Sequence, residues 1–239
     1  MEENNIENAN PKDNDKLGNA KLIAGAIVLA GVLIAGAILL KGSGNTVVNG
    51  TNNGLGNIEV RPVSSSDHIL GNPKAKVVIV EYSDLECPFC KVFHSTMHQI
   101  VNDSKGEVAW VYRHYPISQL HPKAFREAEA TECAWDQGGN DAFWKYTDRL
   151  FEVTASNNKL DEAELPKIAE YVGLDVLSFN ACLDSGKFAD KIRADMEDGN
   201  RAGVTGTPSS LIMVKGKVVD LIPGALPYES VMEKINAVR

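Results

Sequence analysis

The sequence contains no run of lysine and arginine residues. Its 24 basic side chains are outnumbered by 32 acidic ones, which gives a formal net charge of −8 and a pI near 5.2. Proteins that bind nucleic acid need clustered cations to neutralise phosphates. The charge pattern therefore argues against nucleic acid as a partner.

Cysteine is scarce, with four residues in 239, and only one CxxC is present, formed by Cys87 and Cys90. A second CxxC, which would complete a four-cysteine zinc site, is missing. His94 and His98 follow, but Cys90 and these histidines would lie along a line of about 12 Å on one helix face and cannot converge on one ion. We therefore predict no metal here and place both histidines on the polar face of the helix.

Charged residues are missing from positions 22–40, "LIAGAIVLAGVLIAGAILL". At about 1.5 Å per residue this stretch spans about 28 Å, which is close to the thickness of a bilayer core. A cleavable signal peptide has a shorter apolar stretch that ends at a small-residue cleavage site, whereas this one ends in Leu39 and Leu40. The pattern favours an uncleaved transmembrane signal anchor over residues 21–41.

The segments beside the apolar stretch predict its orientation and the domain boundaries. Three lysines precede it within residues 1–20 and at position 21, and only one follows closely, so the N-terminus is predicted to be cytoplasmic. Residues 1–20 are almost devoid of apolar side chains and are predicted to be a disordered tail. Residues 42–67, rich in Gly, Asn and Ser, read as a flexible linker before an extracytoplasmic domain over residues 68–239.

Strand and helix patterns alternate in this domain. A β-branched apolar strand over 76–82 is followed by the CxxC, by a helix whose apolar face includes Val92 and Phe93, and by a second strand in "EVAWVYRHYPI". Residues 120–202 have a helical pattern, and the chain closes with two strands and an amphipathic helix. This order predicts an α/β domain with a helical insertion and no internal repeat.

The position of the CxxC indicates its chemistry. Pro88 follows Cys87 where a strand passes into a helix, which places Cys87 at the helix N-terminus, where the helix dipole stabilises a thiolate. Cys90 lies one turn further on and can attack a mixed disulfide. A CxxC directly after a strand of a βαβ unit is typical of a thiol–disulfide redox pair.

Three stretches carry a resemblance to a known family: "YSDLECPFCKVFH", the helical "EATECAW" and "FNACLDSGKFADKI", and "GVTGTPSSLI". In these, residues 60–239 resemble the DsbA-like branch of the thioredoxin superfamily. The resemblance implies a thioredoxin-like fold, a central mixed sheet flanked by helices with an inserted helical subdomain. It implies Cys87 and Cys90 as the redox-active pair, with no other cofactor and no bound metal.

The resemblance also implies roles for residues around the pair. Thr207 and Pro208 would form a cis peptide bond beside the cysteines and dock an extended substrate, together with Pro88 and Phe89. Glu81, which shares a strand face with Ile79, would exchange protons with the resolving cysteine; the alternative is that it points to water. Asp84 and Glu86 lie nearer Cys87, but as loop acids they are expected to be solvated. Phe89 stands where the best-known members carry histidine, so we predict a less extreme oxidant.

Cys133 and Cys182 have surroundings that resemble those of family members with an extra cysteine pair. In an oxidising compartment we expect them to form a structural disulfide, while two buried free thiols are the alternative.

The sequence thus predicts a membrane-anchored thiol–disulfide oxidoreductase that introduces disulfides into reduced or unfolded secreted proteins. By resemblance, an integral-membrane, quinone-linked thiol oxidase would recharge the pair. A disulfide reductase or isomerase of the same fold, and a non-catalytic chaperone or binding module, are the alternatives.

Overall fold

A computed structural model describes Leu55 and residues 58–239 of the chain. The predicted tail over 1–20, the predicted transmembrane helix over 21–41 and the first part of the linker lie outside the described residues. Within the described part of the chain, no helix has the length and apolar character needed to cross a membrane.

Five strands form one mixed sheet in the order β1-β3-β2-β4-β5. The neighbours β2 and β3 are parallel, and the other adjacent pairs are antiparallel. The parallel pair is the core of the predicted βαβ unit. The strand bounds are β1 His68–Gly71, β2 Val77–Ser83, β3 Val108–His114, β4 Ser209–Val214 and β5 Lys217–Pro223.

Six helices flank this sheet within the described residues. They are α1 Pro88–Asp103, α2 Ala124–Val153, α3 Glu164–Tyr171, α4 Val176–Ser185, α5 Ala189–Arg201 and α6 Tyr228–Val238. Helix α1 connects β2 to β3, and α6 packs against α1 and β5. Helices α2 to α5 lie between β3 and β4, inside the range predicted as the helical insertion.

Helix α2 is 30 residues long and is interrupted at Gly139, whose φ of 64° and ψ of −157° are not helical. Glycine adopts this positive φ without a steric penalty because it has no Cβ. The interruption lets α2 bend while it packs against both α3 and α4.

The central strand β2 is covered on both faces, as its apolar sequence predicts. Ile79 faces a large core shared with α1, α2 and the insertion, which includes Phe93 and Trp110. Val80 points the other way, into a smaller core that includes Leu211. The CxxC helix is therefore attached to a strand that has no solvated face.

The linker is shorter than predicted, because residues 58–67 belong to the folded domain. Ile58, Val60 and Val63 pack against the smaller core. Arg61 bonds Asp195 of α5 at 2.7 Å. Apolar residues thus attach this segment to the smaller core, and one arginine attaches it to α5.

Candidate active site

Helix α1 begins at Pro88, and Cys87 is its N-cap residue, with an extended backbone (φ −75°, ψ 122°). The two cysteines are free thiols and differ in access: Cys87 is 5% exposed, whereas Cys90 is fully buried. The sequence-predicted order of an outer and an inner cysteine is therefore the order found in the structure.

The two thiols have opposite pKa shifts. The hydrogen bond with Cys90, aided by backbone N–H groups at the helix N-terminus, lowers the pKa of Cys87 to about 6. Burial raises the pKa of Cys90 well above its usual value. At neutral pH Cys87 is therefore a thiolate and Cys90 a thiol. The outer sulfur, of Cys87, can act as nucleophile or leaving group, while the inner sulfur, of Cys90, stays protonated.

The Thr207–Pro208 peptide bond is cis, which is the geometry that the resemblance implies. Pro208 is buried directly before β4, and the carbonyl oxygen of Thr207 lies 3.5 Å from Sγ of Cys87. The structure thus brings together two segments that lie 120 residues apart in the sequence.

Glu81 lies on β2 on the same face as Ile79 and is only 1% exposed, so the alternative that it points to water is wrong. Neither of its carboxyl oxygens has a hydrogen-bond partner among the described residues. Burial raises its pKa to about 8. The same carboxyl group contributes to the raised pKa of Cys90, after burial and after the hydrogen bond and charge of Cys87. Its position and pKa are those of a group that can hold a proton near the inner thiol at neutral pH.

Asp84, in the loop before the cysteines, was expected to be solvated, and this expectation is wrong: Asp84 is 1% exposed. Its carboxylate accepts hydrogen bonds from the backbone of Glu86 at 2.9 Å and of Ile117 at 2.8 Å, and contacts His121 Nδ1 at 2.9 Å. Asp84 therefore fixes the loop that positions Cys87.

Glu86, directly before Cys87, was also expected to be solvated and is fully buried instead. Its carbonyl accepts from the backbone N–H of Asn157 at 2.8 Å, and its carboxylate accepts from that of Asn158. Burial, followed by a hydrogen bond to Glu86, raises the pKa of Glu127 to about 9. Sequence reasoning missed Glu127, His121 and Asn158, and their sequence surroundings contain no signal that connects them to the CxxC.

Exposed apolar side chains surround the cysteines. Phe89 is 64% exposed, as its predicted role in substrate contact requires, and Val92, predicted to face the core, is also 64% exposed one turn along α1. Leu120, on a loop, is 65% exposed. Its backbone carbonyl accepts a hydrogen bond from the side-chain amide of Asn158. Since Asn158 also bonds Glu86, this loop is connected to the residue before Cys87.

Cys133 on α2 and Cys182 on α4 form a disulfide, as expected, rather than two free thiols. The bridge closes a loop with a sequence separation of 49 residues and joins two helices of the insertion.

His94 does not lie on a polar face of α1, so that prediction is wrong for His94, whereas the side chain of His98 is partly exposed. His94 is 5% exposed and packs edge-on against Trp110. The Nε2 atoms of both histidines contact the same carboxylate oxygen of Asp148, on α2.

A thiolate cysteine at a helix N-terminus, a buried partner thiol and an adjacent cis-proline on a mixed sheet define a thioredoxin-fold oxidoreductase. Residues 64–236 match the model of a thioredoxin family, and the chain belongs to this family.

Solved structures place it among DsbA-like members. DsbA2 from Pseudomonas aeruginosa is 30% identical, with a TM-score of 0.62 over 75% of this chain and 97% of that one. A thioredoxin-like oxidoreductase from Silicibacter pomeroyi is 25% identical, with a TM-score of 0.62 over 80% and 98% of the two chains. BdbD from Bacillus subtilis, at 22% identity and a TM-score of 0.65 over 75% and 96% of the two chains, shares the fold.

Among curated proteins, the Na⁺/H⁺ antiporter NhaA 3 of Salinispora tropica is 33% identical over 163 residues. The match covers 68% of this chain but only 24% of that protein, so this chain spans about a quarter of the length of such relatives.

Proposed function

We propose that the chain catalyses dithiol–disulfide exchange at Cys87 and Cys90, and that it introduces disulfides into secreted proteins. The observation that supports this most directly is the opposite pKa shift of the two thiols at the N-terminus of α1. A low pKa makes Cys87 a good leaving group and stabilises the reduced enzyme, and both effects favour oxidation of the substrate.

The exchange proceeds in two steps. A substrate thiolate attacks Sγ of Cys87 in the Cys87–Cys90 disulfide, which forms a mixed disulfide and releases Cys90. Because the pKa of Cys90 is high, its sulfur leaves readily only if it receives a proton, and Glu81 is the buried group placed to supply it. A second substrate thiolate then attacks the substrate sulfur and releases Cys87 as a thiolate. The substrate loses two electrons, and the cysteine pair gains them.

Substrate binding uses the surface around the pair. Among the described residues, no other backbone group forms a hydrogen bond with the backbone of Thr207. An extended peptide can therefore pair with this backbone as an added strand. Phe89, Val92 and Leu120 offer exposed apolar contacts to an unfolded chain.

We further propose that residues 21–41 anchor the enzyme in the cell membrane with the catalytic domain outside. A quinone-linked membrane thiol oxidase would then reoxidise the Cys87–Cys90 pair, and no cofactor besides this pair is needed. A reductase would use the same two sulfurs in the opposite direction, and an isomerase would use the reduced pair to rearrange substrate disulfides with no net gain or loss of electrons. A binding module without catalysis would need neither sulfur.

Replacing Cys90 with serine tests catalysis. Cys90→Ser removes the resolving sulfur, so mixed disulfides between Cys87 and secreted proteins should accumulate in the membrane fraction, as higher-mass species that disappear on reduction. Cys87→Ser is the matched control and should form none. Absence of adducts with Cys90→Ser would favour the binding module, and adducts outside the membrane fraction would contradict the anchor.

A further inference from the structure

A second group of chemically active side chains lies between α1 and α2, apart from the cysteine loop. His94 and His98 are one turn apart on α1, and Asp148 faces them from α2. Oδ1 of Asp148 lies 2.7 Å from Nε2 of His94 and 2.8 Å from Nε2 of His98, and the two nitrogens are 3.2 Å apart. Three atoms that can each bind a metal ion therefore converge at one point.

The spacing of these atoms suits a transition-metal ion. Zinc binds imidazole nitrogen and carboxylate oxygen at about 2.0–2.2 Å, which separates neighbouring ligand atoms by roughly 3.3 Å in tetrahedral and roughly 2.9 Å in octahedral coordination. The observed separations of 2.7 to 3.2 Å lie close to this range. An ion above the plane of the three atoms can reach all of them with small side-chain adjustments.

The cluster is also accessible. It lines a cavity of about 510 Å³ together with Lys91, Ser95, Phe151 and Glu152. The side chain of His94 is 7% exposed, that of His98 29% and that of Asp148 44%. One ligand is therefore held rigidly in the core while the other two face the cavity, which leaves room for water as a further ligand.

We propose that His94, His98 and Asp148 bind one divalent transition-metal ion of the zinc class, with water completing its coordination. Two imidazoles and a carboxylate form the three-ligand, open-position set that such ions accept. The bound ion would link α1 to α2, and so connect the helix that carries the cysteines to the helical insertion.

A second triad, His68, His114 and Glu132, provides an internal comparison. Its side chains are at most 1% exposed, so it has no access from solvent. Nζ of Lys191 lies 2.7 Å from the same Glu132 oxygen that both histidines contact. A lysine ammonium already supplies the positive charge there and would repel a metal ion, so we assign no metal to this triad.

The test is a titration of the purified full-length chain, in mild detergent and without a histidine tag, with Zn²⁺ alone. Calorimetry and the melting temperature report binding. The chain is kept oxidised, so that the Cys87–Cys90 sulfurs cannot act as ligands, and the double variant Cys87→Ser/Cys90→Ser checks this. One Zn²⁺ per chain should bind and raise the melting temperature, since a ligand bound only by the native state stabilises it. Mg²⁺, which prefers oxygen ligands, should not compete.

Variants assign the binding to this cluster. His98→Ala and Asp148→Asn should each weaken Zn²⁺ binding by at least about 100-fold. Even the mutation of a residue that only holds a metal ligand in place lowers metal affinity by about 10–100-fold. Asp136→Asn is the matched control, since Asp136 is also a half-exposed carboxylate of α2 but pairs with Lys187. If His98→Ala and Asp148→Asn bind Zn²⁺ as the wild type does, or if the wild type binds none, the proposal is overturned.

Discussion

Phe89 is the residue of the CxxC in which this chain departs most clearly from the best-known members of the DsbA-like branch. Phe89 is 64% exposed, and its ring carries no hydrogen-bonding group that could stabilise the Cys87 thiolate. The pKa of Cys87 is nevertheless lowered to about 6, by the hydrogen bond with Cys90 and by backbone N–H groups. Thiolate stabilisation here therefore comes from helix position and the partner thiol.

Phe89→His should add to this stabilisation. A histidine next to the sulfur can donate a hydrogen bond, so we expect the pKa of Cys87 to fall further below 6 and the pair to become more oxidising. A fall of one unit in the pKa of Cys87 stabilises the thiolate by about 1.4 kcal/mol, which corresponds to about 30 mV in the reduction potential of the pair. The pH dependence of Cys87 alkylation and equilibration with glutathione measure the two effects. Phe89→Leu is the control and should leave both unchanged; an unchanged pKa in Phe89→His would contradict the argument.

Glu81 gives a pH-dependent prediction. Its pKa is raised by burial from the ordinary 4.5 to about 8, so between these values the folded chain holds a proton that the unfolded chain has lost. The free energy of unfolding should therefore fall as pH rises through this window. Glu81→Gln should make the free energy of unfolding depend less on pH in this window. Above about pH 8 the variant should be more stable than the wild type, by a few kcal/mol.

Denaturant unfolding of the oxidised chain between about pH 5 and 9 measures this effect without titration of Cys87. Glu81→Gln should also slow the release of Cys90, because glutamine cannot supply a proton. Glu107→Gln, at an exposed salt bridge with Lys76, is the control and should keep the wild-type pH dependence. Parallel stability profiles for Glu81→Gln and wild type would contradict the raised pKa.

Among the elements, the helical insertion depends on a covalent link between α2 and α4. The Cys133–Cys182 bridge closes a loop of 49 residues, which by loop entropy stabilises the fold by about 4 kcal/mol. Cys182→Ala should lower the free energy of unfolding by up to this amount while the alkylation rate of Cys87 stays unchanged.

The double variant Cys133→Ala/Cys182→Ala separates the bridge from packing. Cys133 is 1% exposed, so its removal adds a small cavity cost, and the double variant should be slightly less stable than Cys182→Ala alone. If Cys182→Ala unfolds at the wild-type denaturant concentration, the bridge does not stabilise the fold.

The elements were predicted well where a local pattern decides the structure. The β2–α1–β3 unit follows from an apolar strand covered on both faces. The start of α1 at Pro88, with Cys87 as its N-cap, follows from the fixed φ of proline. The buried acids of the cysteine loop could not be predicted in this way. The partner of Asp84 lies 37 residues away at His121, and that of Glu86 lies 72 residues away at Asn158. Burial of a charge depends on such distant partners, which no local pattern contains.

At the scale of the whole molecule, the same limitation explains the misplaced linker boundary. Its Gly- and Asn-rich composition predicts a tether up to residue 67, but the partner of Asp67 is Arg113 on β3, 46 residues away. Arg113 is fully buried and bonds Asp67 at 2.9 Å and Asp198 at 2.6 Å. This arginine therefore joins the entering segment, the sheet and α5.

Arg113→Met should destabilise the whole domain, since it removes the fully buried cation that Asp67 and Asp198 share and leaves them with the partly exposed Arg61 and Arg201, at a cost of up to about 3–5 kcal/mol. Burial alone would raise the pKa of Asp67, but the hydrogen bond and charge of Arg113 outweigh it and hold that pKa below its usual value. Burial likewise opposes the lowered pKa of Asp198, which the hydrogen bond from Tyr82 and the charge of Arg113 maintain. Their contribution is present above the ordinary carboxyl pKa and is lost as pH falls below it.

In acid titration followed by circular dichroism, Arg113→Met should therefore unfold at a higher pH than the wild type. Arg193→Met is the matched control, because Arg193 is more than half exposed and pairs with an exposed residue of its own helix, Asp190. Exposed pairs of this kind contribute at most about 1 kcal/mol, so its acid midpoint should stay near that of the wild type. Equal midpoints for Arg113→Met and Arg193→Met would mean that the segment before β1 is attached by its apolar contacts, with Ile58, Val60 and Val63 sufficient to hold it against the sheet.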